Sequence, residues 1–170
     1  MVISKRKEII NMTNKALIFD MDGTLNLFYD VENWLNDLEE EKTRPYEECK
    51  PKIDIDTLNL ICELYRMIGY QIVVTSWLSK NATKEYSNRI RKAKIDWLKK
   101  VGFNYDEIHL VKYGTPKAKC TKKYCGNQIL VDDNKKVRES FEKSSNKQTI
   151  DANKDIIKEL LDLFIKLENS

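Results

Sequence analysis

No apolar run in this sequence approaches the length needed to cross a membrane. Its basic start, Ser4-Lys5-Arg6-Lys7, is not followed by the apolar stretch of a secretory signal. There are four cysteines, of which only Cys120 and Cys125 lie close together, and no second pair of metal spacing accompanies them. That excludes a zinc ribbon and a disulfide framework and leaves four reduced thiols, as expected of a cytoplasmic protein. The single histidine, His109, falls inside a strand-like run and reads as structural. Repeats, low-complexity tracts and long linkers are also absent. At 170 residues, the chain is then expected to form one domain with a sizeable core, 14–170, behind a loose extension at 1–13 in which Met12 offers an alternative start.

What is present is charge. Charged residues make up 34% of the chain against 41% hydrophobic, for a net charge of only +3. The distribution says more than the sum. Acids dominate from Asp30 to Glu48 and bases from Lys80 to Lys123, with five lysines and no acid between Lys112 and Lys123. Such polarity can steer an anionic substrate, or it can be a pair of solvated faces. Hydrophobic patterning predicts strands at Lys15–Asp20, Tyr70–Ser76, Glu107–Val111, Gln128–Asp132 and Gln148–Ile150. Helices are predicted at Val31–Lys42 (with Trp34, Leu35 and Leu38 on one face), at Asp56–Ile68 capped by Asp54 or Asp56, at Thr83–Lys100, after Asn134, and from about Asn153 to Glu168. Strands alternating with helices in this way imply a parallel, doubly wound, Rossmann-like α/β sheet of five strands.

Asp20-Met21-Asp22-Gly23-Thr24-Leu25 follows directly on the apolar run Ala16–Phe19. A buried parallel strand ending in carboxylates delivers them to the C-terminal sheet edge, where open α/β sheets bind ligands. Three other strand ends are polar. Thr75 and Ser76 offer hydroxyls, Lys112, Lys117 and Lys119 offer a cation, and Asp132 and Asp133 offer hard oxygens for Mg²⁺. Asp20 reads as nucleophile and metal ligand, Asp22 as the group that protonates a leaving oxygen and later deprotonates water, and Thr24 as an aid to the turn at Gly23. A nucleophile, a metal, a lysine and donors to equatorial oxygens together suit phosphoryl transfer.

These four segments resemble the motifs of the haloacid dehalogenase (HAD) superfamily of phosphohydrolases, in the family's order. They are Asp20–Leu25, Val74-Thr75-Ser76, a lysine in Tyr113-Gly114-Thr115-Pro116-Lys117, and Leu130-Val131-Asp132-Asp133-Asn134. The resemblance spans Lys15–Val137. It implies a phosphomonoester hydrolase working through an aspartyl-phosphate on Asp20, with Mg²⁺ held by Asp20, the Asp22 carbonyl and Asp132. The second motif centres on Thr75 or Ser76, and the third on Lys117 in preference to Lys119. The run Gly69–Ser76 is similar to the 3′-phosphatase domain of phage polynucleotide kinase/phosphatase, which favours Ser76. That enzyme continues Gly-Arg where this chain has Trp77-Leu78, so a substrate-side arginine is missing here. Arg44-Pro45-Tyr46 is also similar to that domain and makes Arg44 a phosphate-binding candidate.

The segments after the first and second motifs leave room only for a small helical insert at about 26–52, hence a minimal cap. An open site suits nucleic-acid ends, or small phosphorylated molecules such as nucleotides if a second subunit closes over it. No membrane partner is expected. Trp77 is placed to stack a base or to pack a helix, and Lys80, Lys84 and Arg89 to follow a phosphate backbone or to solvate a helix face. Tyr29 and Trp34 are candidates for a small lid. The alternative reading is a regulatory protein that keeps the fold and binds phosphate with little turnover.

Overall fold

The computed structural model describes residues 14–144 and 146–170, so the extension expected at 1–13 lies outside the described residues. Five parallel strands form one sheet: β1 (Lys15–Phe19), β2 (Tyr70–Trp77), β3 (Glu107–Val111), β4 (Gln128–Asp132) and β5 (Lys147–Asp151), in the order β3-β2-β1-β4-β5. β1 is hydrogen-bonded on both sides, Leu17 opposite Ile72 of β2 and Ile129 of β4. Both of its faces are covered too, which is why it is apolar without alternation. Leu17 and Phe19 join one core with Ile72, Val74, Ile129 and Val131, while Ala16 and Ile18 join a second with Val73 and Leu130. The doubly wound Rossmann-like sheet implied by the sequence is the fold observed.

Seven helices among the described residues are α1 (Trp34–Glu39), α2 (Arg44–Glu48), α3 (Ile55–Met67), α4 (Lys84–Val101), α5 (Lys117–Cys120), α6 (Lys135–Phe141) and α7 (Ile156–Glu168). In α3 the buried residues Leu58, Ile61, Cys62 and Tyr65 recur at helical spacing and face the first core, where Ile156 and Leu160 of α7 meet them. The Asp54 side chain accepts from the Thr57 amide and starts α3; Thr83 and Asp155 do the same for α4 and α7. Gly102, at φ 74°, ends α4. No helix among the described residues is long and apolar enough to cross a membrane.

The largest departure from expectation lies between β1 and α3. The helix predicted over Val31–Lys42 is shortened to the six-residue α1, and a short 3₁₀ turn at Phe28–Asp30 precedes it. Asn33 and Glu41 bracket α1 in left-handed conformations (φ 59° and 54°), which a continuous right-handed helix cannot hold. Trp34 packs on Phe28 and Tyr29 with ring centroids 5.6 and 5.2 Å apart, and Leu35 stays exposed instead of joining a core face. Phe28 and Tyr46 then pack with Tyr86 and Ile90 of α4 in a third cluster. The last helix also starts later than Asn153, because Asp155 takes the cap and the Asn153 side chain bonds Asp151 and the Asp133 carbonyl.

Leu58 is fully buried between α3 and the sheet. Leu58→Ala is therefore expected to destabilise the protein by about 2–5 kcal/mol in urea denaturation; a loss under 1 kcal/mol would contradict this packing.

Candidate active site

The strand register sets the site. Phe19 lies opposite Val74 and Val131, so Asp20, Ser76 and Asp132 emerge together at one sheet edge. The chain then turns sharply at Gly23 (φ 81°), where an added Cβ would stand 2.5 Å from Asp133 Oδ2 and 2.9 Å from the Tyr29 ring. No other residue type suits both the dihedral and the space. Asn26 clamps the turn, its Oδ1 accepting from the Gly23 and Phe28 amides and its Nδ2 donating to Asp22 Oδ1. Lys52 closes it from behind, donating to the carbonyls of Gly23 and Ala152.

At the bottom of the cleft the Lys117 ammonium, 4% exposed, donates to Asp20 Oδ1 at 2.5 Å and Asp132 Oδ2 at 2.6 Å. Burial alone would lower the lysine; the charges of Asp20 and Asp132 overcome it and hold Lys117 above its ordinary value. Carboxylate oxygens of Asp20, Asp132 and Asp133 all lie within 4.8 Å of one another. Burial and the charge of Asp20 raise Asp132, and the same two causes with Asp132 added push Asp133 up to about 6. Asp22 is raised as well, by burial first, with the charge of Lys94 opposing and that of Asp20 adding. Four carboxylates thus converge on two hydrogen-bonded ammonium groups, Lys117 and Lys94, an excess of negative charge that an oxygen-seeking divalent cation would offset.

Lys94 is the residue that sequence reasoning missed. It is 1% exposed and donates to Asp22 Oδ2 at 2.5 Å and Ser76 Oγ at 2.8 Å. A signal existed: Ile90, Ala93, Lys94, Trp97 and Leu98 form the buried stripe of α4, so Lys94 is a lysine at an apolar position.

The other sequence candidates divide. Ser76 lines the cleft, whereas Thr75 is buried and its hydroxyl has no partner. Lys119 is exposed, away from the carboxylates that Lys117 holds. Trp77 lines the cleft with its Nε1 donating to the Thr115 carbonyl and its ring 4.9 Å from that of Tyr113, and Lys80 stands exposed at the rim. Thr24 is fully buried and its Oγ1 accepts from the Asp133 amide, so it braces the loop and cannot touch substrate. Arg44 is likewise committed elsewhere. It bonds Asp37, Glu48 and the Glu32 carbonyl, holding α1 to α2 outside the cleft. Arg89 lies over the Tyr86 ring and near Glu41. His109 is tied to Glu107. All four thiols are free.

The cleft holds about 390 Å³, with the acids as its floor and Phe28, Tyr29, Trp34 and Leu38 as an aromatic and apolar wall. The small insert therefore forms one side of the cleft and leaves its mouth open.

No family model and no curated protein matches the chain. Among solved structures it is similar to a chain of the Pnkp1/Rnl/Hen1 RNA repair complex, at 18% identity and a TM-score of 0.54. The match covers 81% of this chain and 42% of that one, so the chain spans less than half of its solved counterpart. It is also similar to a D,D-heptose 1,7-bisphosphate phosphatase from Burkholderia Thailandensis, at 15% identity and a TM-score of 0.46, covering 88% of this chain and 97% of the other. The first likeness shows a shared fold.

The raised carboxyls carry a stability consequence. Asp133 binds its proton more tightly folded, at about 6, than at its ordinary value of 3.8. Its contribution is thus favourable below pH 4 and lost as pH rises through 4 to 6. In chelator-treated protein, Asp133→Asn should therefore gain in melting temperature relative to wild type across that window. A difference that stays flat or reverses would show that Asp133 is not strained by its neighbours.

Proposed function

We propose that the chain is a Mg²⁺-dependent phosphomonoesterase of the haloacid dehalogenase type, acting on a nucleotide or a nucleic-acid 3′-phosphate end. The observation that carries this is the convergence of Asp20, Lys117 and Asp132 within hydrogen-bonding distance, with Asp22 two residues along and held by Lys94. An all-oxygen set of Asp20, Asp132 and Asp133 fits Mg²⁺ by donor chemistry, and the Asp22 main-chain carbonyl adds a further oxygen. When bound, Mg²⁺ would neutralise phosphoryl oxygens as their charge shifts.

The residues then divide the work. Asp20 Oδ attacks phosphorus as the ester P–O bond breaks, and Asp22 gives its proton to the leaving alkoxide. Asp22, now ionised, takes a proton from water; that water attacks the phosphorus of the acyl phosphate, releasing inorganic phosphate and restoring the Asp20 carboxylate. Lys117 and Ser76 Oγ hold equatorial oxygens. Lys94 fixes the Asp22 carboxyl and Ser76 relative to each other. Electrostatic preorganisation of this kind is the source from which a barrier reduction of roughly 20 kcal/mol can come. The fold shared with a chain of a complex named for RNA repair supports the nucleic-acid side of the reading.

Purified protein with Mg²⁺ should release phosphate from p-nitrophenyl phosphate and lose that activity to a chelator. Asp20→Asn should lower kcat by roughly 10³-fold or more. Absence of turnover by wild type across a panel of phosphomonoesters would overturn the enzyme reading in favour of a phosphate-binding protein that keeps the fold.

A further inference from the structure

We infer that the substrate is the phosphorylated end of a single strand, and that the strand leaves the cleft along a basic groove beside α4. The inference rests on the phosphatase reading above but is carried by a different region of the surface.

The groove, of about 680 Å³, continues from the mouth of the cleft: Leu78, Ser79, Lys80 and Tyr113 line both. Beyond them it is lined by Lys84, Arg91 and Lys112, and no acidic residue lines it. None of these four cations, Lys80 included, forms an ion pair among the described residues, and Arg91 donates only to the neutral Asn88 side chain. This sets them apart from their neighbours. Arg89 turns to Glu41 and the Tyr86 ring, and Lys92 pairs with Asp96. In a chain with 27 acids, four clustered cations without a carboxylate partner in a concave surface form an anion site that is preserved from internal neutralisation.

The arrangement fits a strand that carries several phosphates better than one more anion. Lys84, Ser87 and Arg91 recur at helical spacing on one face of α4 and reach about 10 Å along it, too far for a single phosphate. Lys80 and Lys112 add cations from the loops after β2 and β3. At the junction with the cleft, Tyr113 and Trp77 present paired rings on which a base can stack. Acidic peptides would meet the same charge but would not use the aromatic junction. Of Lys80, Lys84 and Arg89, offered by the sequence for a phosphate backbone or a solvated helix face, Arg89 does not line the groove; Arg91 does, because the groove side of α4 carries positions 84, 87 and 91.

The test uses the full chain and 3′-phosphorylated single strands of one, two, four and eight nucleotides, with p-nitrophenyl phosphate as a substrate that ends at the cleft. kcat/KM should rise with length and level off by about four nucleotides. Binding of an unphosphorylated octanucleotide, followed by fluorescence anisotropy, should show a log–log salt slope of about −1.5 to −3, as for two to four phosphate contacts. The triple substitution Lys84→Ser, Arg91→Ser, Lys112→Ser should weaken that binding on the order of tenfold and flatten the length dependence. If mononucleotide and octanucleotide are processed alike while p-nitrophenyl phosphate is turned over, the groove proposal is overturned and the phosphatase reading stands. Octanucleotide binding lost in the triple variant, in a protein that hydrolyses no ester, supports the groove and overturns the phosphatase. A polyglutamate of matched charge that competes as well as the octanucleotide overturns the nucleic-acid assignment.

Discussion

The arrangement depends on one buried interaction, the ammonium of Lys117 shared between Asp20 and Asp132. It joins the ends of two neighbouring strands, β1 and β4, to the short helix α5. Two carboxylates this close would repel each other, and burial makes the repulsion stronger. Removing one member of such a buried pair generally costs about 3–5 kcal/mol, so the lysine is a condition for the sheet edge to close as well as a part of its chemistry. Lys94 repeats the solution one step along by satisfying Asp22 and Ser76. Asp133 is left beside them, and burial together with the charges of Asp20 and Asp132 raises its proton affinity.

Much of this edge was readable from residues alone, and for a physical reason. A central parallel strand must be apolar along its buried length, so a carboxylate at its end stands out, and Asp20 and Asp132 both do. The strand at Gln128–Asp132 matches its predicted bounds for the same reason; the partly buried edge strand at Glu107–Val111 also matches. Lysine, by contrast, is common on this protein's surface. Lys94 was hidden among the exposed lysines of a basic helix although its position on the buried stripe marked it out. Arg44 shows the opposite case: local similarity suggested a phosphate ligand, but its guanidinium is held by Asp37, whose approach depends on the fold, and by Glu48 one helical turn along. The shortening of the helix at Asn33 was equally hidden, since left-handed dihedrals there follow from packing Trp34 on Phe28 and Tyr29.

On the proposed phosphatase reading, substrate selection would fall to the two sides of the cleft. One wall is aromatic and apolar and comes from the insert between β1 and α3; the opposite rim is basic and comes from α4 and the loops after β2 and β3. A phosphate ester with a nucleoside attached has both characters. The missing Gly-Arg after Ser76 removes one cation near the second motif, and Lys80 stands four residues further on at the rim. Beside Ser76 the cation is instead Lys94, whose ammonium donates to Ser76 Oγ at 2.8 Å.

Helix α4 connects these parts. Its buried stripe carries Lys94 to the acid at the site, and Tyr86 and Ile90 on the same helix hold Phe28 and Tyr46 of the insert. Tyr86 Oη also donates to the Lys42 carbonyl, and the Thr83 hydroxyl to Glu41, tying the start of the helix to the end of α1. A third side of α4 presents Lys84 and Arg91 to the groove. One rigid element thus sets the distance from acid to wall and from wall to groove. A helix of 18 residues, capped by Thr83 and closed by Gly102, is long enough to do so without flexible joints. The insert gains its position from this anchoring, which explains how two short helices and a 3₁₀ turn, each too short to be stable alone, can form a defined wall.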